Sequence, residues 1–225
     1  MTYLTYLVKF NAMKVLLILC HPRPGSFNHT LAAGARDALT ALGHEVHFHD
    51  LHEEGFDPVL DSSELSRLYS LDDLVQEHSR QLSQAEGLVI FHPDWWSQPP
   101  AMLKGWVDRV FRQGVAYDLE GEDGSEKKWK GLLAGKKGLV FCTSDAEEEE
   151  RPGALESLWK DAVLGRCGME AECYVVRDMR GPDTGRRRGW MKFVTETVLQ
   201  AFGRPGSTQS MMSASLRASS AIAPV

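Results

Sequence analysis

Three short stretches carry side chains whose types and spacing suit ligand chemistry. The first is His21-Pro22-Arg23-Pro24-Gly25-Ser26-Phe27-Asn28-His29-Thr30, which runs directly into a segment with helical spacing. A helix start presents free N–H groups and the positive end of the dipole, so hydroxyl and amide donors there suit a phosphate. Plain N-capping by Ser26 or Asn28 accounts for the same residues equally well. The second stretch is His92-Pro93-Asp94-Trp95-Trp96-Ser97-Gln98-Pro99-Pro100. Adjacent tryptophans in a proline-stiffened loop suit a flat aromatic partner, although one indole filling the core is the simpler alternative. The third is Thr143-Ser144-Asp145-Ala146, whose hydroxyls and amides can address the polar edge of a ring. Glu147 to Glu150, which follow, read as the solvated, dipole-favoured start of a helix. A phosphate loop, a flat-ring loop and a polar-edge loop together describe a site for flavin mononucleotide.

Elements that could bring the loops together are legible in the hydrophobic pattern. Strand-length apolar runs at 14–20, 45–50, 87–92, 138–143 and 171–176 alternate with helical stretches near 31–42, 71–85, 100–112, 154–165 and 186–202. The first, third and fourth runs are almost continuously apolar, as strands buried on both faces are. The second alternates Val46 and Phe48 with His47 and His49, which places it at an edge. Leu31, Ala35, Ala38 and Leu42 form the expected apolar stripe of the first helix, with Gly43 at its end. Five such units predict an α/β, flavodoxin-like, doubly wound five-stranded parallel sheet of order 2-1-3-4-5. In that architecture ligands bind outside the carboxyl ends of the strands, where all three loops fall.

The composition permits this and excludes much else. The 225 residues are 43% hydrophobic and 25% charged, in the range of folded globular domains. Residues 1–12 carry only Lys9, and residues 203–225 only Arg204 and Arg217, so residues 13–202 retain 22 of the 25 basic groups and all 31 acidic ones, a balance of −9. A domain so acidic lacks the electrostatic footprint for nucleic acid or an anionic membrane. The basic groups Lys127, Lys128, Lys130 and Arg186 to Arg188 read as solvated faces. No apolar run is long enough to span a bilayer, so no membrane insertion is expected. Cys20, Cys142, Cys167 and Cys173 show no metal or redox spacing and fit buried thiols in a reducing cytoplasm. Met13 looks like a more natural start than Met1, making residues 1–12 a leader, 13–202 the ligand-binding domain and 203–225 a disordered tail.

Competing motifs fail. No Gly-x-Gly-x-x-Gly follows a strand, residues 131–137 have the wrong spacing for a P-loop, and no Gly-x-Ser-x-Gly is present. A response regulator would place acidic residues where Cys20 and His21 stand. His44, His47, His49, Asp50 and His52 approach a metallohydrolase pattern, but no second cluster completes a first shell, so no functional metal is expected.

These features together resemble the NAD(P)H:quinone oxidoreductase family of flavodoxin-like proteins, over most of residues 14–177. The resemblance is carried by His21 with Ser26-Phe27-Asn28, by Asp50-Leu51 followed by Phe56-Asp57-Pro58, and by LVIFHPDWWSQPPAMLKGWVDRVFRQGVAYDL, with Lys104-Gly105-Trp106, Arg109-Val110-Phe111 and Ala116-Tyr117. It implies that hydride passes from NAD(P)H to a bound flavin and then to a quinone or similar small acceptor. By the same resemblance His21, Ser26, Phe27 and Asn28 hold the phosphate side, and Pro93, Asp94, Trp95, Trp96 and Ser97 line the ring. Thr143, Ser144 and Asp145 face its polar edge, and Tyr117 borders the substrate pocket.

Relatives also imply a homodimer with the flavin near the interface. FMN is favoured over FAD, because the C-terminal region contains no recognisable adenine-binding segment. The chain departs from the family at Asp145 and Ala146, where many relatives have two glycines, and at Leu119 and Ser97, where they have aromatics. The Tyr and His used by animal members have no counterpart within residues 145–160. Two other readings stay open: a flavin-binding ancillary subunit of a potassium efflux system, and an azo- or nitro-compound reductase.

Overall fold

A computed structural model of the chain describes residues 12–67, 69–121, 126–146, 151, 153–177 and 184–203. The expected leader, apart from residue 12, the tail beyond residue 203 and the acidic run at 147–150 lie outside the described residues. Five parallel strands form the central sheet: β1 (Lys14–Leu19), β2 (Glu45–Asp50), β3 (Gly87–Pro93), β6 (Lys137–Thr143) and β7 (Glu170–Val176). Their spatial order is β2-β1-β3-β6-β7, the 2-1-3-4-5 arrangement expected when only these five are counted. The order reverses direction between β1 and β3, which opens a crevice at their carboxyl ends.

Strict alternation along the buried strands builds two cores. Leu16, Ile18, Leu88, Ile90 and Val140 face one side, where α3 (Asp73–Gln84) and α4 (Ala101–Val110) pack. Val15, Leu17, Leu19, Val89, Phe91, Leu139 and Phe141 face the other, covered by α1 (Phe27–Ala41) and α6 (Thr184–Phe202). Edge strand β2 turns Val46 and Phe48 toward the α1 side and His49 toward α3, because successive side chains point to opposite faces. The α1 stripe differs from expectation at its end. Leu31, Ala32, Ala35 and Leu39 are buried, whereas Ala38 and Leu42 are only half-buried. A Schellman turn explains this: His44 N–H donates to Leu39 O at 3.2 Å and Gly43 N–H to Thr40 O at 2.9 Å, with Gly43 at φ 80°.

Two features had no sequence signal. After α4 the chain makes an antiparallel hairpin of β4 (Tyr117–Glu120) and β5 (Lys128–Gly131), whose charged strands of four residues each are too short for their alternation to stand out. After β6, α5 (Ala154–Ser157) widens into a π-helical turn at Leu158–Leu164, a local insertion that reorients the side chains that follow. The short α2 (Ser62–Leu65) lies in the long β2–α3 connection.

The Lys104-Gly105-Trp106 motif has a packing cause. A Cβ on Gly105 would stand 2.2 Å from Pro58 O, so only glycine lets α4 meet the β2–α3 connection this closely. Trp106 is fully buried, while Lys104 pairs at the surface with Asp108. Arg109 ties the same connection down, donating to Glu64 Oε1 at 2.9 Å and to Asp57 O at 2.7 Å. Its guanidinium holds the Glu64 carboxyl below the usual carboxylate range despite burial.

Candidate functional site

The three loops meet at the carboxyl ends of β1, β3 and β6. Gly25, at φ 69°, turns the first loop into α1, with Ser26 as N-cap. Asn28 Nδ2 crosses to donate to Thr143 Oγ1 at 2.7 Å, joining the first loop to the end of β6. Asp94 joins the second loop to the same place: its N–H donates to Thr143 O at 2.7 Å and its carboxylate accepts from Ser144 Oγ at 3.2 Å. These bonds make one continuous cradle.

The phosphate-side residues are arranged for an anion. The side chain of Ser26 makes no capping bond to the helix, and the first turn contains no acidic residue. Its N–H groups therefore face outward without a side-chain acceptor. Ser26 Oγ instead lies 2.8 Å from His29 Nδ1, and His29 Nε2 lies 2.9 Å from Asp50 Oδ2. Asp50 is buried and its other oxygen accepts from the N–H of His52 at 3.1 Å, which gives the Asp50-Leu51 motif its role. His21 Nδ1 accepts from Arg23 N–H at 3.1 Å; burial, then the nearby charges of Arg23 and His29, lower its pKa. Phe27 is half-buried beneath Arg187, whose guanidinium lies 5.6 Å from the ring centre.

The second loop is a two-residue hairpin. Trp95 and Gln98 exchange backbone bonds of 3.1 and 3.2 Å, and between them Trp96 and Ser97 both adopt left-handed φ values of 63° and 58°. Such a turn ordinarily takes glycine or asparagine, so this one stores strain. Asp94 compensates by accepting from Ser97 N–H at 2.8 Å. Neither indole fills the core: Trp95 is 44% and Trp96 93% exposed. Pro93 is buried at the end of β3.

On the polar-edge side Thr143 and Ser144 are buried, and Asp145 is exposed. Tyr117 lies at the start of β4 and takes no part in the hydrogen bonds that join the three loops. Its ring stacks on Trp129 at 3.8 Å, and Arg166 caps the far side of Trp129 at 4.6 Å. The sequence reading missed Trp129, because the hairpin that brings it there was not visible. It also missed His29 and Asp50 as partners of the first loop, which only strand pairing of β1 with β2 sets side by side.

Of the histidine-rich stretch, His49 enters a second cluster on the α3 side of β2. Ligand-type atoms of His49, Glu54 and His78 lie within 4.8 Å of one another. Trp106 Nε1 donates to His78 Nδ1 at 2.9 Å, so Nε2 of His78 carries the proton and has no lone pair for a metal ion. That proton faces Glu54 Oε2 at 3.4 Å, a contact from a neutral imidazole that is longer than a full hydrogen bond. His49 lies 2.6 Å from Glu54 and 2.5 Å from Gln81 Oε1. Burial opposes the charge on Glu54, but the hydrogen bond to His49 and the nearby His78 outweigh it and hold its pKa at about 2. For His49 burial is likewise outweighed by Glu54 and Gln81, raising its pKa. The cluster is an ion-paired brace for the β2–α3 connection.

Residues 13–188 match the family described as flavodoxin-like fold. The chain belongs to that family. It is 36% identical over 154 residues to the ribosyldihydronicotinamide dehydrogenase-like protein traD of Penicillium crustosum, covering 58% of this chain and 57% of that protein. It is 33% identical over 167 residues to an uncharacterized NAD(P)H oxidoreductase of Haemophilus influenzae, covering 70% of this chain and 80% of that one. Among solved structures it resembles the NAD(P)H:quinone oxidoreductase of Methanothermobacter marburgensis, with TM-score 0.71, 25% identity, and coverage of 86% of this chain and 99% of that one. The match to the Penicillium relative spans little more than half of that protein's length. Among the described residues no helix is long and apolar enough to cross a membrane.

Proposed function

We propose that this protein is a flavin-dependent NAD(P)H:quinone oxidoreductase that binds FMN in the cradle. The observation that carries the reading is the Asn28–Thr143 and Asp94–Ser144 pair of bonds, which locks three ligand-type loops into one surface at the sheet's switch point. The group fits the residues present. Asn28 is buried with its Oδ1 unpartnered, and whichever way the amide is turned one of its atoms awaits a partner such as a ribityl hydroxyl.

In this reading the first turn of α1 binds the phosphate through its outward N–H groups. The rigid hairpin at Trp95–Gln98 offers an aromatic wall to the ring, and Thr143 and Ser144 orient the ring's polar edge. A flavin held there would supply the two-electron chemistry, accepting hydride from a nicotinamide and returning it to a quinone. Trp96, exposed at the hairpin tip, excludes water from whatever docks against the ring and suits a contact with a second copy, so a homodimer belongs to the same proposal. The free cysteines suit a reducing compartment, and cytoplasmic placement is proposed with them.

An absorption spectrum of the purified protein, before and after anaerobic NAD(P)H, tests the reading. An oxidised-flavin spectrum that bleaches and returns on adding a quinone is the expected result, with chromatography of the released chromophore separating FMN from FAD. A colourless protein that takes up neither flavin overturns it.

A further inference from the structure

The chain of contacts Asp50–His29–Ser26 bears on anion binding at the start of α1. The ionised Asp50 carboxylate can only accept, so the proton of His29 sits on Nε2, facing Asp50 Oδ2 at 2.9 Å. In neutral His29 the Nδ1 lone pair is then bare, and at 2.8 Å it accepts the hydroxyl proton of Ser26. Ser26 is 1% exposed. The N-cap hydroxyl is thereby withdrawn from the helix, and its lone pairs, not its proton, are left at the site of an incoming anion. A protonated His29 reverses the pattern: Nδ1–H donates to Ser26 Oγ, and the Ser26 hydroxyl proton becomes available to an acceptor.

We propose that His29 is a positioning residue that couples phosphate binding at the α1 N-terminus to uptake of one proton. The inference rests on the phosphate placement proposed above. Its steps balance: one solvent proton adds to the Nδ1 lone pair of His29, Nδ1–H then donates to Ser26 Oγ, and the Ser26 O–H turns to a phosphate oxygen, with no bond between heavy atoms made or broken. Asp50 keeps the resulting imidazolium paired. A second feature points to a ligand at the same turn: Asn28, also 1% exposed, has its unpartnered side-chain oxygen there. Among the described residues, Asp50 at the end of β2 pairs with His29, His21 of the first loop stands beside it, and Arg23 and His52 act on His21 in turn. His21 is a competitor for the proton, its ring centre 6.3 Å from that of His29. From α6, Arg187 stands over Phe27.

Calorimetric titration at pH 8, in two buffers of different ionisation enthalpy, counts protons taken up on binding. FMN phosphate is already a dianion at that pH, since its second ionisation lies near 6. The wild type is expected to take up close to one proton with FMN and none with riboflavin, which lacks the phosphate. His29→Gln cannot protonate. It is expected to abolish the uptake and weaken FMN by about tenfold while leaving riboflavin unchanged, the size of one charge-assisted hydrogen bond. Equal weakening of FMN and riboflavin by His29→Gln, or uptake that survives that variant, overturns the proposal. A wild type that binds neither flavin overturns the flavin reading alone. The coupling is then read with inorganic phosphate at the same pH, and phosphate binding without proton uptake, or no phosphate binding, overturns it.

Discussion

Trp159 donates its indole N–H to Nε2 of His92 at 3.0 Å, and His92 Nδ1 lies 2.8 Å from Pro93 O. The indole can only donate, so Nε2 must be the acceptor and Nδ1–H the donor to the Pro93 carbonyl. One fully buried neutral imidazole thus fixes the last residue of β3, from which the tryptophan hairpin departs. The π-helical turn at Leu158–Leu164 carries Trp159.

Burial holds His92 at a pKa of about 4, against 6.5 unperturbed. Between these values the unfolded chain binds more protons than the folded one, so stability rises with pH across the window and is lost as pH falls from 6.5 toward 4. The full difference is about 3 kcal/mol. Chemical denaturation from pH 7 to 4.5 is expected to show that slope in the wild type and a flatter one in His92→Asn. Trp159→Phe, which leaves Nε2 without a donor, is expected to destabilise by about 2 kcal/mol at pH 7.

Replacing Glu54 by alanine leaves two imidazoles facing each other under the β2–α3 connection, with ring centres 3.9 Å apart between His49 and His78. A loss of about 2 kcal/mol is expected, discounted from the value for a dry pair because Glu54 is partly exposed. The two groups titrate with opposite signs. The contribution of Glu54, whose pKa falls from 4.5 to about 2, is present above 4.5 and lost as pH drops through that interval. That of His49, whose pKa is raised, is present below 6.5 and lost as pH climbs through its folded value. Zinc ions are expected to leave the melting temperature unchanged, because Trp106 keeps the proton on the His78 nitrogen that would ligate. A zinc-dependent rise would contradict the tautomer.

Strain in the tryptophan hairpin predicts a trade of stability against binding. Ser97→Gly and Trp96→Gly each remove a side chain from a left-handed position and are expected to stabilise the protein by about 1 kcal/mol. Only Trp96→Gly is expected to weaken flavin or acceptor binding, since it alone removes an exposed aromatic face. Melting curves beside fluorescence titration with FMN separate the two effects.

Gly105→Ala forces a Cβ to 2.2 Å from Pro58 O, a rigid backbone atom. A loss of about 2 kcal/mol is expected in urea denaturation, with activity following stability rather than changing in KM alone.

The sequence by itself determined the sheet. Continuous apolar runs at β1, β3 and β6 and the alternating run at β2 specify two buried faces and an edge, because a strand's side chains have period two. The position of the three loops followed from that order alone, since every parallel strand delivers its loop to the same end. Residue types at Ser26, Asn28, Trp95, Trp96 and Thr143 marked those loops before any contact was known.

Tertiary structure decided which side chains face one another. Thr143 lies 115 residues from Asn28, and no periodicity encodes that bond. Asp50 reaches His29 only because β2 pairs with β1, and His29 looks from sequence like one more helix residue. His92 and Trp159 are 67 residues apart, joined through a π-helical turn that propensity does not signal. Trp129 covers Tyr117 only through a hairpin of charged, short strands. Hydrophobic burial is a property of each position and can be read locally. Hydrogen-bond pairing depends on directions and distances between remote atoms, which exist only once the chain has closed.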